Sequence, residues 1–307
     1  MNIPYFDAHC DTIGMGLGAE DSLRRNRCAI DLERGAALGR YAQVFALFGD
    51  VDEVPVGQMW AECRRLYQRF TREISENSDL TAFCRSGAEI DDAIASGKTA
   101  ALLSIESADL LDCEISRIET VADWGVRLMN LTWNQPNKIS GTNCREGDRG
   151  LSAHGKEFVR QLEANHIYAD VSHLSDAGFW DLIHMACLPV VASHSNARVL
   201  CPHSRNLTDD MFRAIRDSGG VVGINYYRHF VGGSGDMDAL VAHLEHFLTL
   251  DGEKTVCFGS DMDGCTPLFE EMNGLQSVPR LYEALQQRGY SDTLLEDLFW
   301  NNLRRLF

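Results

Sequence analysis

The sequence predicts a (β/α)8 barrel, and three observations carry that expectation. Eight short β-type runs lie along the 307 residues. Most are apolar throughout, as parallel strands covered on both faces are, and helical patterns separate most of them. Eight strands alternating with helices imply right-handed crossovers and, most economically, closure into a barrel, with a doubly wound open sheet as the structural alternative.

In chain order the runs are Ile3–Ala8, Tyr41–Phe48, Thr99–Ile105, Gly125–Thr132, Ile167–Val171, Leu188–Ala192, Gly219–Asn225 and Thr255–Gly259. After the second, Met59, Cys63, Leu66, Tyr67, Phe70 and Ile74 step by three and four, which gives one apolar stripe on a helix. Thr208 is placed to cap a helix reaching Ile215, with Asp209 and Asp210 in its first turn. Leu240, Val241, Leu244, Phe247 and Leu248 repeat the helical pattern, with Gly252 as its expected stop. Leu294, Leu295, Leu298, Phe299 and Leu303 read as a final amphipathic helix closing the underside of the barrel. No Gly/Ser/Pro-rich linker interrupts the series, so residues 1–307 read as one domain.

Hydrophobic residues make up 45% of the chain, enough for a full core without disulfides or structural metal. A formal charge of −17 repels phosphate backbones and anionic lipid, which argues against nucleic acid and membrane as partners. None of the ten cysteines forms a C-x-x-C pair, which removes zinc-ribbon and thioredoxin-like readings. Scattered thiols, no basic or apolar leader in the first residues, and no window near the roughly 18 apolar residues of a membrane span lead to a cytoplasmic expectation.

The polar residues then fall into a pattern. The first strand ends in Asp7-Ala8-His9-Cys10-Asp11 and the third in Ser104-Ile105-Glu106; the fifth ends in Asp170-Val171-Ser172-His173 and the sixth in Ser193-His194-Ser195-Asn196. The eighth ends in Gly259-Ser260-Asp261-Met262-Asp263-Gly264. The C-terminal rim is where barrel active sites assemble. His and carboxylate donors converging there suit Zn²⁺ or a similar divalent ion, and mark the barrel as one of the metal-dependent hydrolase type. His9-x-Asp11 leaves one strand face and can grip one ion, while His173 and His194 can hold a second. Glu106 offers two oxygens for a bridge between ions about 3.5–4 Å apart, an arrangement that would make hydroxide available near neutral pH. Asp261 is then the candidate to take a proton from water and pass it to a leaving amine.

Plainer readings stand beside these. Asp11 also reads as a turn residue, Glu106 as a cap and Asp263-Gly264 as a turn. His154, His166, His184, His243 and His246 sit in helical or loop contexts and read as structural. Arg205 reads either as a surface ion-pair partner or as a guanidinium that clamps a substrate carboxylate.

At these residues the chain resembles the membrane dipeptidase (renal dipeptidase) family of zinc metallopeptidases, nearly end to end. The resemblance is to its bacterial cytosolic type. The specific blocks are Phe6–Thr12, Asp170–Leu174, Ala192–Arg198 followed by Pro202–Thr208, Gly219–Tyr227 and Gly259–Gly264. The resemblance implies that His9 and Asp11 hold one zinc, His173 and His194 the other, and Glu106 bridges the two. It also implies that Arg205 binds the free carboxylate of a dipeptide and that Asp261 is the acid–base group. The family hydrolyses dipeptides and often tolerates a D-residue at the C-terminal position. Wider barrel amidohydrolases commonly carry H-x-H and a carboxylated Lys, whereas this chain has H-x-D and Glu106.

One departure stands out. Animal relatives end the fourth strand in L-T-H, and that His assists the substrate; here the string is Leu131-Thr132-Trp133-Asn134. Asn134 or another donor replaces it, or metal alone stabilises the oxyanion, with Trp133 as a wall of the pocket. Two readings compete with a dipeptidase. One is an amidohydrolase of N-acyl amino acids, cyclic amides or lactones, and the other is an idle scaffold. The expected partners are dipeptides, and a homodimer is compatible with the sequence.

Overall fold

A computed structural model describes residues 2–18, 21–55, 57–269 and 271–307. Its strands are β1 (Ile3–Cys10), β2 (Gly39–Phe48), β3 (Thr81–Phe83), β4 (Thr99–Glu106), β5 (Val126–Asn130), β6 (Tyr168–Asp170), β7 (Val191–Ala192), β8 (Val221–Ile224) and β9 (Val256–Phe258). Every pairing is parallel. β2 pairs with β4 from Ala42 to Phe48, and β1 meets β9 through Asp7 and Phe258. The ring β1-β2-β4-β5-β6-β7-β8-β9 therefore closes as a (β/α)8 barrel.

All eight anticipated runs supply a barrel strand, several of them trimmed. Leu188–Ala192 narrows to Val191–Ala192 and Ile167–Val171 to Tyr168–Asp170, because the backbone turns at once to present the residues that follow. The sequence reading missed β3, which is only three residues long. It pairs with Thr99–Ala101 of β4, and β5 takes over that edge from Leu103 onward.

Phe6 and Ala8, Ala42 and Val44, Ala100 and Leu102, with Leu128, Val191, Val221 and Cys257, form one buried cluster. They alternate along their strands and come from all around the ring, so they fill the barrel interior. Alternation then carries Phe48 and Glu106 inward at the upper end. On β1 a register shift between Asp7 and Cys10 breaks the alternation. A bulge of this kind re-aims the following side chains, and here it brings His9 and Asp11 inward although Ala8 already faces that way.

The remaining apolar residues pack between strands and helices. Helix Met59–Glu76 buries Met59, Cys63, Leu66, Phe70 and Ile74, the stripe seen in the sequence. Thr208 caps Asp209–Asp217 by accepting the Met211 N–H at 3.3 Å. Helix Met237–Leu248 ends at Thr249, and the left-handed residue beyond it is Asp251 (φ 59°), not Gly252. Gly252 is instead pressed against the Phe247 carbonyl, 2.4 Å from where a Cβ would stand.

The C-terminal helical segment closes the underside. Phe299 packs on Phe258 with ring centroids 4.5 Å apart and Trp300 on Phe6 at 5.4 Å. Arg305 donates to the carbonyls of Gly220 and Lys254, just below β8 and β9. No helix among the described residues is long and apolar enough to cross a membrane.

Candidate active site

The seam between β1 and β9 builds one side of the site. Past the ladder, Asp261 N–H donates to the His9 carbonyl (3.2 Å) and Asp11 N–H to that of Met262 (3.1 Å). This zip sets His9 Nε2 3.2 Å from Asp11 Oδ2 and 4.0 Å from Asp261 Oδ1. Across the mouth, the turns after β6 and β7 bring His173 Nε2 to 3.2 Å from His194 Nε2. Glu106 stands between the two sides. Its Oε2 lies 3.7 Å from His9 Nε2, while its Oε1 is 3.0 Å from His173 Nε2 and 3.7 Å from His194 Nε2. His173 (φ 74°), Asp261 (φ 60°) and Ser107 (φ 79°), next to Glu106, take left-handed backbone. Such positions cost about 1–3 kcal/mol each and persist where the surroundings over-determine them.

The electrostatics differ between the sides. Burial works against a charge on His9, but Asp11, Glu106 and Asp261 outweigh it and carry its pKa to about 10. Burial, then His9, pushes the His194 imidazole well below its usual range; burial, then Arg205 and His9, does the same to His173. Burial also raises Glu106, with Asp11 adding to it, and lifts Asp261 to about 6 against the pull of His9.

The donors fit a metal. His173 Nδ1–H donates to Asn134 Oδ1 (3.0 Å), and His194 Nδ1 pairs with Ser193 Oγ (2.7 Å). With the Nδ1 atoms so engaged, two neutral imidazoles aim bare Nε2 lone pairs at each other and at a carboxylate oxygen. That convergence is repulsive without a cation. On the other side, His9 Nε2 and Asp11 Oδ1 are buried and make no hydrogen bond among the described residues. Gly264 completes the cradle, since a Cβ there would stand 2.0 Å from Asp11 Oδ2.

Arg205 opens on the same cavity, of about 330 Å³, together with Glu106, Trp133, Asn134, His173 and Asp261. It is only 2% exposed, yet none of its three guanidinium nitrogens has a hydrogen-bond partner among the described residues. The Phe230 ring lies beneath it, 5.2 Å away. An unpartnered buried guanidinium calls for an anion. The surrounding loop holds it in place: Leu207 N–H donates to the Asn196 carbonyl at 2.8 Å, and Arg205 N–H to His203 Nδ1 at 3.1 Å. The surface ion-pair reading of Arg205 does not survive this burial. Trp133 packs on Phe48 with ring centroids 4.9 Å apart and walls the cavity, while the Asn134 carbonyl is turned to His173.

Sequence reasoning missed the supports beneath these groups. Asp7 Oδ1 accepts the N–H groups of His9 (3.1 Å) and Ser260 (2.9 Å). Asp170 Oδ1 accepts those of Ser172 (2.9 Å) and Ser193 (3.1 Å). Asn225 Nδ2 donates to Asp261 Oδ2 at 2.9 Å. The one available signal was spacing, because Asp7 and Asp170 stand two and three residues before a histidine. His243, read as structural, is buried with both ring nitrogens engaged: Nδ1 accepts the Ala197 N–H and Nε2 donates to the Val231 carbonyl. Asp263 takes a left-handed turn and accepts from the Thr12 hydroxyl (2.7 Å).

The model of the family described as membrane dipeptidase (peptidase family M19) matches residues 1–307. The chain belongs to the membrane dipeptidase family. It is 35% identical over 264 residues to a Klebsiella pneumoniae protein from the pqqA 5′ region, covering 82% of this chain and 96% of that one. An uncharacterized dipeptidase of Schizosaccharomyces pombe is 29% identical over 276 residues, 80% of this chain and 66% of that one. Among solved structures, a metallopeptidase from Rhodobacter sphaeroides bound to a phosphinate mimic of L-Ala-D-Ala superposes with a TM-score of 0.89. It is 25% identical, over 100% of this chain and 99% of that one. Membership of this family makes the chain a metal-dependent hydrolase of the dipeptidase class.

Proposed function

We propose that this dipeptidase carries two zinc ions, one on His9 and Asp11 and one on His173 and His194, with Glu106 shared between them. We further propose that its substrates include dipeptides with a D-residue at the C-terminal position, as the ligand of the Rhodobacter relative suggests. The bound ions would supply Lewis acidity to polarise the scissile carbonyl and acidify a water. Arg205 pairs bidentately with the C-terminal carboxylate, which explains a buried guanidinium without a hydrogen-bond partner among the described residues. Asn225 fastens one oxygen of Asp261 and leaves the other directed toward His9. Burial raises Asp261 and neighbouring cations would favour its ionised form, so at neutral pH it is a carboxylate placed to accept a proton and return it to the leaving amine.

The observation that carries this reading is the unpartnered Arg205 in the same cavity as the carboxylate split between two histidine sets. Loss of a desolvated carboxylate clamp costs about 2–5 kcal/mol. Arg205→Ala should therefore lower kcat/KM strongly on free dipeptides and weakly on the same dipeptides amidated at the C-terminus. Equal losses on both would show that Arg205 does not read the carboxylate. The ion count is checked separately by metal analysis of protein purified without chelator, with two equivalents of zinc expected.

A further inference from the structure

Among the described residues four carboxylates line the cavity, and three of them, Asp11, Glu106 and Asp261, gather around His9. The fourth, Asp50, has no part in that cluster. It follows β2, while Arg205 follows β7, and those two strands stand four places apart in the ring of eight. The two residues thus reach the same cavity from strands on opposite sides of the barrel. Asp50 is half-buried and pairs with no cation among the described residues; one oxygen accepts the Asp52 N–H at 2.8 Å and the other is left over. Its loop is tied to the loop after β5, where Gln135 Nε2 donates to Asp52 Oδ2 at 2.9 Å. Phe48 and Trp133 line the same cavity as Asp50 and pack on each other, an aromatic surface that suits the stem and charge of a cationic side chain.

Building on the dipeptidase reading, we infer that Asp50 recognises positive charge on the N-terminal residue of the substrate and sets a preference for cationic over anionic residues there. With the C-terminal carboxylate on Arg205 and the scissile bond over the donors, the N-terminal residue points to the β2 side. The charge recognised there is a lysine or arginine side chain, and the experiment separates it from the α-ammonium that every free dipeptide carries.

The zinc-loaded full chain is assayed with Arg-Ala, Lys-Ala, Leu-Ala, Glu-Ala and propionyl-alanine, which lacks the α-amino group. The wild type should favour Arg-Ala and Lys-Ala over Glu-Ala. Asp50→Asn keeps an oxygen for the Asp52 N–H, so the loop stays formed. It should lower the kcat/KM ratio of Arg-Ala to Leu-Ala about fivefold, as expected for a partly exposed ion pair. Asp50→Lys should invert the order of Arg-Ala and Glu-Ala. A loss shared by every free-amine dipeptide but absent with propionyl-alanine would place the contact on the α-ammonium and overturn the side-chain preference. Losses equal across all five substrates, or none, overturn the inference. A wild type that hydrolyses Leu-Ala but ignores charge at the first residue sinks this inference alone; one that hydrolyses no member of the panel sinks the dipeptidase reading with it.

Discussion

On the β1/β9 side of the site, Asp7 gathers the N–H groups of His9 and Ser260; on the β6/β7 side, Asp170 gathers those of Ser172 and Ser193. Each buried carboxylate ties a strand end to the neighbour that completes its half of the site. Above this shared support the halves diverge. His9 sits among Asp11, Asp261 and Glu106, carboxylates that draw a cation, proton or metal, to that side, whereas among the described residues His173 and His194 make ion-pair contact with Glu106 alone and burial favours their neutral form. One half offers a cation site through negative charge, the other through bare lone pairs. Identical backbone clamps can therefore carry unlike electrostatics, because the character of each half is set by side chains one or two positions further on.

Among the described residues Glu106 is the only acidic group that both halves meet, so its replacement should have the largest effect. Glu106→Gln keeps the shape and removes the charge. Metal content should fall on both sides and turnover by several orders of magnitude, while circular dichroism shows an intact barrel. Loss of a single equivalent would place Glu106 in one half only, and normal metal content with near-normal turnover would remove it from the site.

Asp261 belongs to the acidic half alone, and its replacement should separate chemistry from metal binding. Asp261→Asn should reduce turnover by roughly 100-fold or more, with metal better retained than in the Glu106 variant. Replacing Asn225 in that background should then add little, because Asn225 acts on turnover through Asp261. Full loss of zinc in Asp261→Asn would make Asp261 primarily a ligand.

The asymmetry between the halves also separates what the sequence discloses from what it conceals. Barrel strands announce themselves as apolar runs because both their faces are covered, and polar residues that interrupt the pattern at run ends fall on one rim by topology. His9, Asp11, Glu106, His173, His194 and Asp261 were found together for that reason. β3 has too few residues to show a pattern. Asp7, Asp170 and Asn225 bind across strands that are far apart in sequence, so their partners depend on register, which no local spacing encodes. Asp50 lies beyond a strand in an acidic stretch, Asp50-Val51-Asp52-Glu53, that reads simply as a solvated loop. The β1 bulge is equally hidden, since strict alternation would have put His9 outside the barrel.

Asn134 offers the smallest and most selective test, because it touches the neutral half only. Its carbonyl accepts the His173 Nδ1–H at 3.0 Å, which fixes the tautomer that leaves Nε2 bare. Partners of this kind are worth about 10–100-fold in metal affinity. Asn134 is part-exposed and a water can replace its carbonyl, so Asn134→Ala should fall near the lower end. Zinc titration should show one of two ions weakened by about tenfold, and excess zinc should restore most of the turnover. Direct contact of the Asn134 amide with the substrate leads to the opposite pattern. Metal affinity would then stay normal, KM would rise or kcat would fall, and added zinc would restore nothing. Zinc titration and turnover at saturating zinc, measured on the one variant, decide whether Trp133-Asn134 replaces the missing histidine as a substrate donor or as a brace for His173.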